Sequence, residues 1–127
     1  MREILFRGKR MDDGEWVCGN LTVWSDGSAS IDQRPSEASP LYAVDPDTAG
    51  QYTGLTVPSG KIFEHDIVTA KFKSNGARFN FVVKYSCENG GYVFDNGCVK
   101  VPFWEIRSVR IIGNIHDNPE LMKGGAE

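Results

Sequence analysis

Five short runs of β-forming residues, separated by turns, constrain the fold of this chain more than any other feature. The turns lie at residues 74–76, 88–91 and 95–97, and each contains Asn-Gly. The runs are rich in Val, Ile, Phe and Tyr and cover residues 66–73, 79–85, 92–94, 98–101 and 108–115. Several short strands joined by such turns are typical of a small antiparallel barrel or sandwich.

The half of the chain before the Pro58-Ser59-Gly60 turn also predicts strands, but their spacing is less regular. Extended segments are predicted over residues 3–7, 15–24, 29–31, 41–44 and 51–55. Gly19 interrupts the second segment, which indicates a bulge or bend. Residues 32–40 are polar, contain two prolines and predict a loop. Residues 45–48 predict a turn, or one helical turn with Asp45 as its N-cap.

These patterns predict a mostly β protein with two parts. At 127 residues the chain has the size of one ordinary domain or of two very small units. We expect a β-rich N-terminal subdomain with irregular loops over residues 1–60, and a barrel subdomain over residues 61–127. The second part should end in a short helical turn that Asn118 caps, Pro119 begins and Gly124 ends.

The charge distribution bears on the class of partner. The chain has a formal net charge of −3, with residues 21–60 at −4 and residues 61–100 at +2. This net charge disfavours binding to nucleic acid, which depends on a basic surface. The asymmetry favours association with another protein or with a second copy of the chain.

Cysteine usage and hydropathy predict the compartment. Three cysteines occur, at positions 18, 87 and 98, without a Cys-x-x-Cys pair, so reduced thiols in a cytosol are expected. Cys18 and Cys98 are predicted to be small buried hydrophobic residues. No apolar run approaches the roughly 20 residues of a membrane span, and the charged N-terminus does not resemble a signal peptide. We therefore expect a soluble cytoplasmic protein.

Three blocks of sequence carry a resemblance to a known family. They are Met1–Arg7 with its Ile-Leu-Phe run, Gln51–Thr56 followed by Gly60–Val68, and Ile112–Leu121 with its Gly-Asn-Ile-His-Asp-Asn-Pro-Glu-Leu run. Their order and spacing resemble the YopX family, small proteins encoded by bacteriophages and bacterial prophages. The resemblance implies a β-rich protein with an SH3-like barrel in its C-terminal half and a bacterial host cell, and it implies no activity.

The chain departs from the family pattern at one position. The family usually has Glu-Gly-Asp in the central block, whereas this chain has Glu64-His65-Asp66. Glycine adopts positive φ at no cost, and His tolerates it better than most residues. Either His65 is slightly strained or its backbone is not left-handed.

The two histidines are the principal candidates for chemistry. His65 and His116, with Glu64, Asp66 and Asp117, can form a metal site or an acid/base pair. The structural alternative is that the carboxylates accept backbone N–H bonds at strand and helix ends, and this alternative is favoured. No phosphate-binding loop is expected around Gly54–Lys61, because Pro58 removes a backbone donor and Ile62 replaces the hydroxyl residue. No metal or other cofactor is expected, and no catalytic residue is assigned.

Aromatic and basic residues of the predicted barrel are the candidates for partner binding. Most of the rings should fill the core, but an exposed aromatic groove of such a barrel can bind extended peptides or stack bases. The candidates are Trp104, Phe103, Tyr92, Lys71 and Lys73, with Trp104 the strongest because it lies in the aromatic connector after Pro102.

Three functions remain open from the sequence. The leading hypothesis is a non-enzymatic protein-interaction module that can also associate with itself, since edge strands of a small β protein need covering. The alternative is a nucleic-acid-binding accessory protein of phage replication or regulation. Its basic residues would be Lys71, Lys73, Arg78, Lys84, Lys100, Arg107 and Arg110. An enzyme that uses a His/carboxylate site ranks third.

Overall fold

A computed structural model describes residues 3–33 and 41–122 of the chain. The described residues are mostly β, with eleven strands and three short 3-10 turns. The chain divides into two compact units, the first ending at Gly54 and the second beginning at Leu55. The sequence predicts a domain boundary slightly later, after residue 60. Among the described residues no helix is long and apolar enough to cross a membrane.

The first unit is a sheet of short antiparallel strands. Its strands are β1 (Phe6–Lys9), β2 (Trp16–Val23), β3 (Ala29–Asp32), β4 (Leu41–Val44) and β5 (Gly50–Val57), and β5 runs on into the second unit. They hydrogen-bond in the order β4-β3-β2-β1-β5. A 3-10 turn at Pro46–Thr48 is capped by the Asp45 side chain, which accepts from the Asp47 N–H at 3.0 Å, so the predicted cap is confirmed.

The first strand lies further along the chain than its sequence predicts. The sequence predicts a strand over residues 3–7, but β1 begins at Phe6, continues to Lys9 and pairs with β2. Gly8 is buried, and a Cβ added to it would lie 3.1 Å from the Val44 side chain. A glycine here therefore allows close packing within a strand, and does not mark a turn.

The core of the first unit is small. Four buried residues form it, namely Val17, Ala29, Ile31 and Val44, with Leu21 and Tyr42 packed against them. Ile31 is fully buried. The pairing of β2 with β3 also depends on Gly19, where a Cβ would collide with the carbonyl group of Asp32.

The second unit contains the five-stranded antiparallel sheet that the sequence predicts. After β6 (Gly60–Phe63) come β7 (Asp66–Phe72), β8 (Arg78–Ser86), β9 (Gly91–Asp95), β10 (Lys100–Val101) and β11 (Ile106–Asn114). The order in the sheet is β10-β9-β8-β7-β11, so the last strand pairs with the first strand of the meander. The other two 3-10 turns lie at Phe103–Glu105, before β11, and at Pro119–Met122, after it. The latter confirms the predicted C-terminal turn, although Gly124 lies outside the described residues.

Hydrogen bonding among the described residues leaves this sheet open. Its two edges are β10 and β11, so the five-stranded antiparallel arrangement is confirmed while closure into an SH3-like barrel stays a prediction.

The second unit has a larger core than the first. Eight buried residues form it, and its two largest fully buried side chains are Phe81 and Phe94. Seven partly buried apolar residues pack against them, among them Phe72, Phe79 and Phe103. Rings therefore fill this core, as the sequence predicts.

The predicted burial of Cys18 and Cys98 is wrong. Cys18, Cys87 and Cys98 are all exposed. Cys18 lies on the outward side of β2, between buried Val17 and buried Gly19. Cys98 precedes β10 in a turn where the Asn96 side chain accepts from its N–H at 2.8 Å. Cys98 therefore lies outside the strand that the sequence predicts for it, because β10 begins at Lys100.

Candidate functional site

The two histidines meet in space although 51 positions separate them in the chain. The Nε2 of His116 lies 3.2 Å from the Nδ1 of His65, so one ring nitrogen donates and the other accepts. The rings pack edge to face with centroids 5.1 Å apart. This contact joins the turn between β6 and β7 to the segment that follows β11.

The backbone holds His65 in a left-handed conformation with φ of +73°. Its N–H donates to the Val83 carbonyl at 2.8 Å, and its own carbonyl accepts from Ile115 at 3.0 Å. When the third residue of a four-residue turn has positive φ, that residue is usually glycine. The position is therefore left-handed, and the surrounding hydrogen bonds impose this conformation on a histidine.

Buried polar side chains organise both chain segments beside the histidines. Asp66, which is 2% exposed, accepts from the Phe63 N–H at 2.7 Å and closes the turn around His65. Asn114 accepts from the N–H groups of His116 and Asp117 at 3.0 and 2.9 Å. Asn118 accepts from the Asn114 N–H at 3.3 Å. The structural interpretation of Asp66 is therefore confirmed, because its carboxylate closes a turn at the start of a strand.

The chemistry that the histidine pair can carry out depends on the metal-ligating side chains around it. Among the described residues, no three His, Cys, Asp or Glu side chains form a group that could hold a metal ion. Two imidazoles that share a hydrogen bond are half-buried and mutually oriented. Together with the buried Asn114 they link two chain segments of the second unit.

The predicted aromatic candidates occupy three different environments. Trp104 is 72% exposed, the most exposed large apolar side chain of the described residues. Phe103 is half-buried and packs on Phe94, with centroids 5.7 Å apart. Tyr92 is half-buried and contacts Tyr85 edge to face at 5.4 Å. Of the three candidates, Trp104 alone presents most of its ring to solvent.

A shallow groove of mixed polarity lies beside the 3-10 turn that carries Trp104, and Trp104 itself is not one of its lining residues. It has a volume of about 420 Å³, and Phe72, Phe79, Cys98, Val99 and Glu105 line it together with Ser74, Asn75 and Asn96. Phe72 and Phe79 contact each other edge to face at 5.5 Å and form its floor with the core. Val99 is 46% exposed at its rim. Local sequence patterns do not indicate Phe72, Phe79, Val99 or Glu105, because these residues belong to separate segments that meet only in the folded sheet.

The two candidate lysines differ in position. Lys71 lies within β7, opposite Arg78 of β8 on one side and Arg107 of β11 on the other. Lys73 follows the end of β7, is exposed, and donates its backbone N–H to the Glu105 carbonyl at 3.0 Å. Lys71 thus belongs to the outer face of the sheet and Lys73 to the turn beside the groove.

Lys84 is neutralised by a carboxylate. Its Nζ lies 3.0 Å from Asp95. Burial acts to raise the pKa of Asp95, but the Gly97 N–H and the Lys84 ammonium outweigh it, so this pKa is below its ordinary value.

The sequence of this chain matches the model of a known protein family. A family model described as YopX protein matches residues 5–123, nearly the whole chain and all the described residues around the histidine pair and the groove. No curated protein and no solved structure matches the chain significantly. On the extent of the family match, the chain belongs to the YopX family.

Proposed function

We propose that this protein is a non-enzymatic protein-interaction module that binds an extended peptide segment in the groove beside Trp104. The observation that carries the proposal is the 72% exposure of Trp104. Trp and Tyr are enriched among the residues that dominate binding energy, because a large rigid ring buries much surface at little entropic cost.

The architecture of the second unit supports this function. A five-stranded antiparallel meander whose last strand pairs with its first, with a 3-10 turn before that last strand, is the order expected of an SH3-like barrel. Barrels of this type bind extended and proline-rich segments in aromatic-lined grooves. We therefore propose the SH3-like barrel as the fold of this unit.

The lining of the groove indicates the chemistry of the partner. Phe72, Phe79 and Val99 provide an apolar floor and rim, and the Glu105 side chain adds a carboxylate. Trp104 precedes Glu105 on the same 3-10 turn. An extended apolar or proline-rich segment with one basic residue matches this surface.

A second copy of the chain would supply such a segment. Residues 34–40 contain Arg34, Pro35 and Pro40 in a polar stretch, which has the composition that the groove would accept. We propose self-association through this surface as one use of the module. The protein would act in the cytoplasm of a bacterium that carries the phage or prophage.

Peptide selection followed by calorimetry tests the proposal. A displayed library of extended peptides is panned against the protein, and the affinity of the best peptide is measured for wild type, Trp104→Ala and Trp24→Ala. Trp24 is a matched control, since it is 48% exposed in the first unit. We expect Trp104→Ala to weaken binding at least about ten-fold, and Trp24→Ala to change it less than about two-fold.

Light scattering supplies the second arm. A dimer that Trp104→Ala dissociates would support self-association through this surface. A protein that is monomeric and selects no peptide, or a selected peptide that binds Trp104→Ala with unchanged affinity, would overturn the proposed function.

A further inference from the structure

The outer face of β11, β7 and β8 carries a cluster of cations that the peptide groove does not use. Arg107 of β11 lies opposite Lys71 of β7, and Lys71 lies opposite Arg78 of β8. Residues directly opposite each other on antiparallel strands share a face, with Cβ atoms about 4.5–5.5 Å apart. These three side chains therefore form one row across the sheet.

A β-bulge adds a fourth cation to the same face. Arg107 and Arg110 pair with Lys71 and Thr69, so two residues of β11, Ser108 and Val109, oppose one residue of β7. Ser108 has φ of +54°, which accommodates the extra residue. Without the bulge, simple alternation would place Arg107 and Arg110 on opposite faces. With it, Arg110 joins Arg107 outside while Val109 packs against the core.

Hydrogen bonds orient part of this row. The Nη1 of Arg78 donates to the Thr69 hydroxyl at 3.2 Å and approaches the Ser108 carbonyl at 3.5 Å. Arg78, Ser108 and Arg110 line a depression of about 470 Å³, together with Ser59. Ser59 accepts from the Ile111 N–H at 3.0 Å, which leaves its own hydroxyl hydrogen to donate to a ligand. Cations and hydroxyl donors thus converge on one space.

In the part of the chain that the structure describes, the cations of this row are not paired with carboxylates. Within residues 3–33 and 41–122, no ion pair involves Lys71, Arg78, Arg107 or Arg110, whereas Lys84 on the same strand as Arg78 pairs with Asp95. Like charges placed directly opposite each other on neighbouring strands destabilise a sheet. An anionic ligand that binds the folded protein at this row would offset the repulsion and stabilise the fold.

We propose that this face, the Arg107–Lys71–Arg78 row with Arg110, binds the phosphate backbone of nucleic acid. Regularly spaced phosphates match a row of fixed cations, and arginine forks bind phosphate oxygens in pairs. The row itself carries no aromatic side chain to stack on bases, so binding reads the backbone and not the sequence. This surface is distinct from the groove beside Trp104 and does not depend on the proposed peptide-binding function.

Fluorescence anisotropy with a labelled duplex of about 20 base pairs tests the proposal over about 20–200 mM salt. Four phosphate contacts predict a slope of log K against log salt of about −3.6. The double variant Lys71→Gln/Arg107→Gln removes two contacts, so its affinity should fall at least about ten-fold and its slope by about 2. The conservative variant Lys71→Arg/Arg107→Lys should retain the wild-type slope.

A charge-matched control separates the row from the net charge. Lys84→Gln/Lys100→Gln changes the net charge equally on the β8–β10 side of the sheet, and it should leave the slope unchanged. Equal loss in both double variants, no binding at about 20 mM salt, or equally tight binding of poly-glutamate would overturn the proposal. Thermal melting of each variant confirms that it is folded. If the Gln double variant does not fold, the single variants Lys71→Gln and Arg107→Gln replace it, each with an expected decrease in slope of about 1, and an unchanged slope in both would overturn the proposal.

Discussion

The two units of this protein are built from similar strands but stabilised differently. In the first unit four buried residues form the core, and cation–π contacts supplement it, with Arg7 4.7 Å from the Trp16 ring and Arg10 4.3 Å from the Tyr42 ring. In the second unit eight buried residues form a core around Phe81 and Phe94. The candidate binding surfaces of both proposals lie on this unit with the larger core.

Matched truncations of fully buried isoleucines test this contrast most strongly. Ile31 in the first unit and Ile62 in the second are each 0% exposed. Ile→Ala costs about 2–5 kcal/mol, depending on how far the cavity collapses. We expect Ile62→Ala near the upper end and Ile31→Ala near the lower end, because the small core of the first unit relaxes more easily. Chemical denaturation measures both, and the milder Ile→Val pair replaces them if either protein does not fold. Equal losses would remove the contrast.

Gly19 tests whether the first unit depends on close backbone approach. Gly19→Ala places a Cβ against the Asp32 carbonyl, and the shift this forces between β2 and β3 should cost about 1–3 kcal/mol of unfolding free energy. Gly27→Ala is the control, because the space around Gly27 is open and only its φ of +91° is strained. A smaller effect at Gly19 than at Gly27 in thermal unfolding would contradict the structure.

His65 offers the corresponding test of backbone strain in the second unit. Both His65→Gly and His65→Ala remove the contact with His116, but only glycine relieves the φ of +73°. His65→Gly should therefore be about 1 kcal/mol more stable than His65→Ala. Identical unfolding midpoints for the two variants would show that the turn is not left-handed in solution.

The smallest expected effect concerns acid stability. Because the folded-state pKa of Asp95 is lowered, its contribution to stability is present above its ordinary value of 3.8 and is lost as the pH falls through the folded-state value. Asp95→Asn should reduce the acid-induced loss of stability below that pH by about 0.2–1 kcal/mol, as for a partly exposed ion pair. Unfolding curves of the wild type and of the variant at neutral and acidic pH measure this. An equal loss of stability on acidification in both proteins would count against the ion pair with Lys84.

Local signals predicted much of the fold, because turns and caps depend on neighbouring residues. The Asn-Gly turns, the Asp45 cap and the last strand all follow from short-range preferences. The exposure of Trp104 agrees with its place in a short connector between strands.

Features that depend on distant residues could not be predicted. The bulge at Ser108 depends on the register of β11 against β7, which no local pattern specifies. The contact between His65 and His116 and the meeting of Phe72 with Val99 likewise require the folded sheet. The burial of Cys98 was predicted wrongly for a local reason, since the turn that begins at Asn96 extends through Cys98, whose N–H donates to the Asn96 side chain.

The most direct test of the account is NMR mapping of amide shifts as a selected peptide is added to the protein. The account predicts that the largest shifts cluster at Lys73, Val99, Trp104 and Glu105, on the core-built second unit. Largest shifts on β2 and β3, beside Trp24, would contradict it, because the binding surface would then belong to the unit with the smaller core.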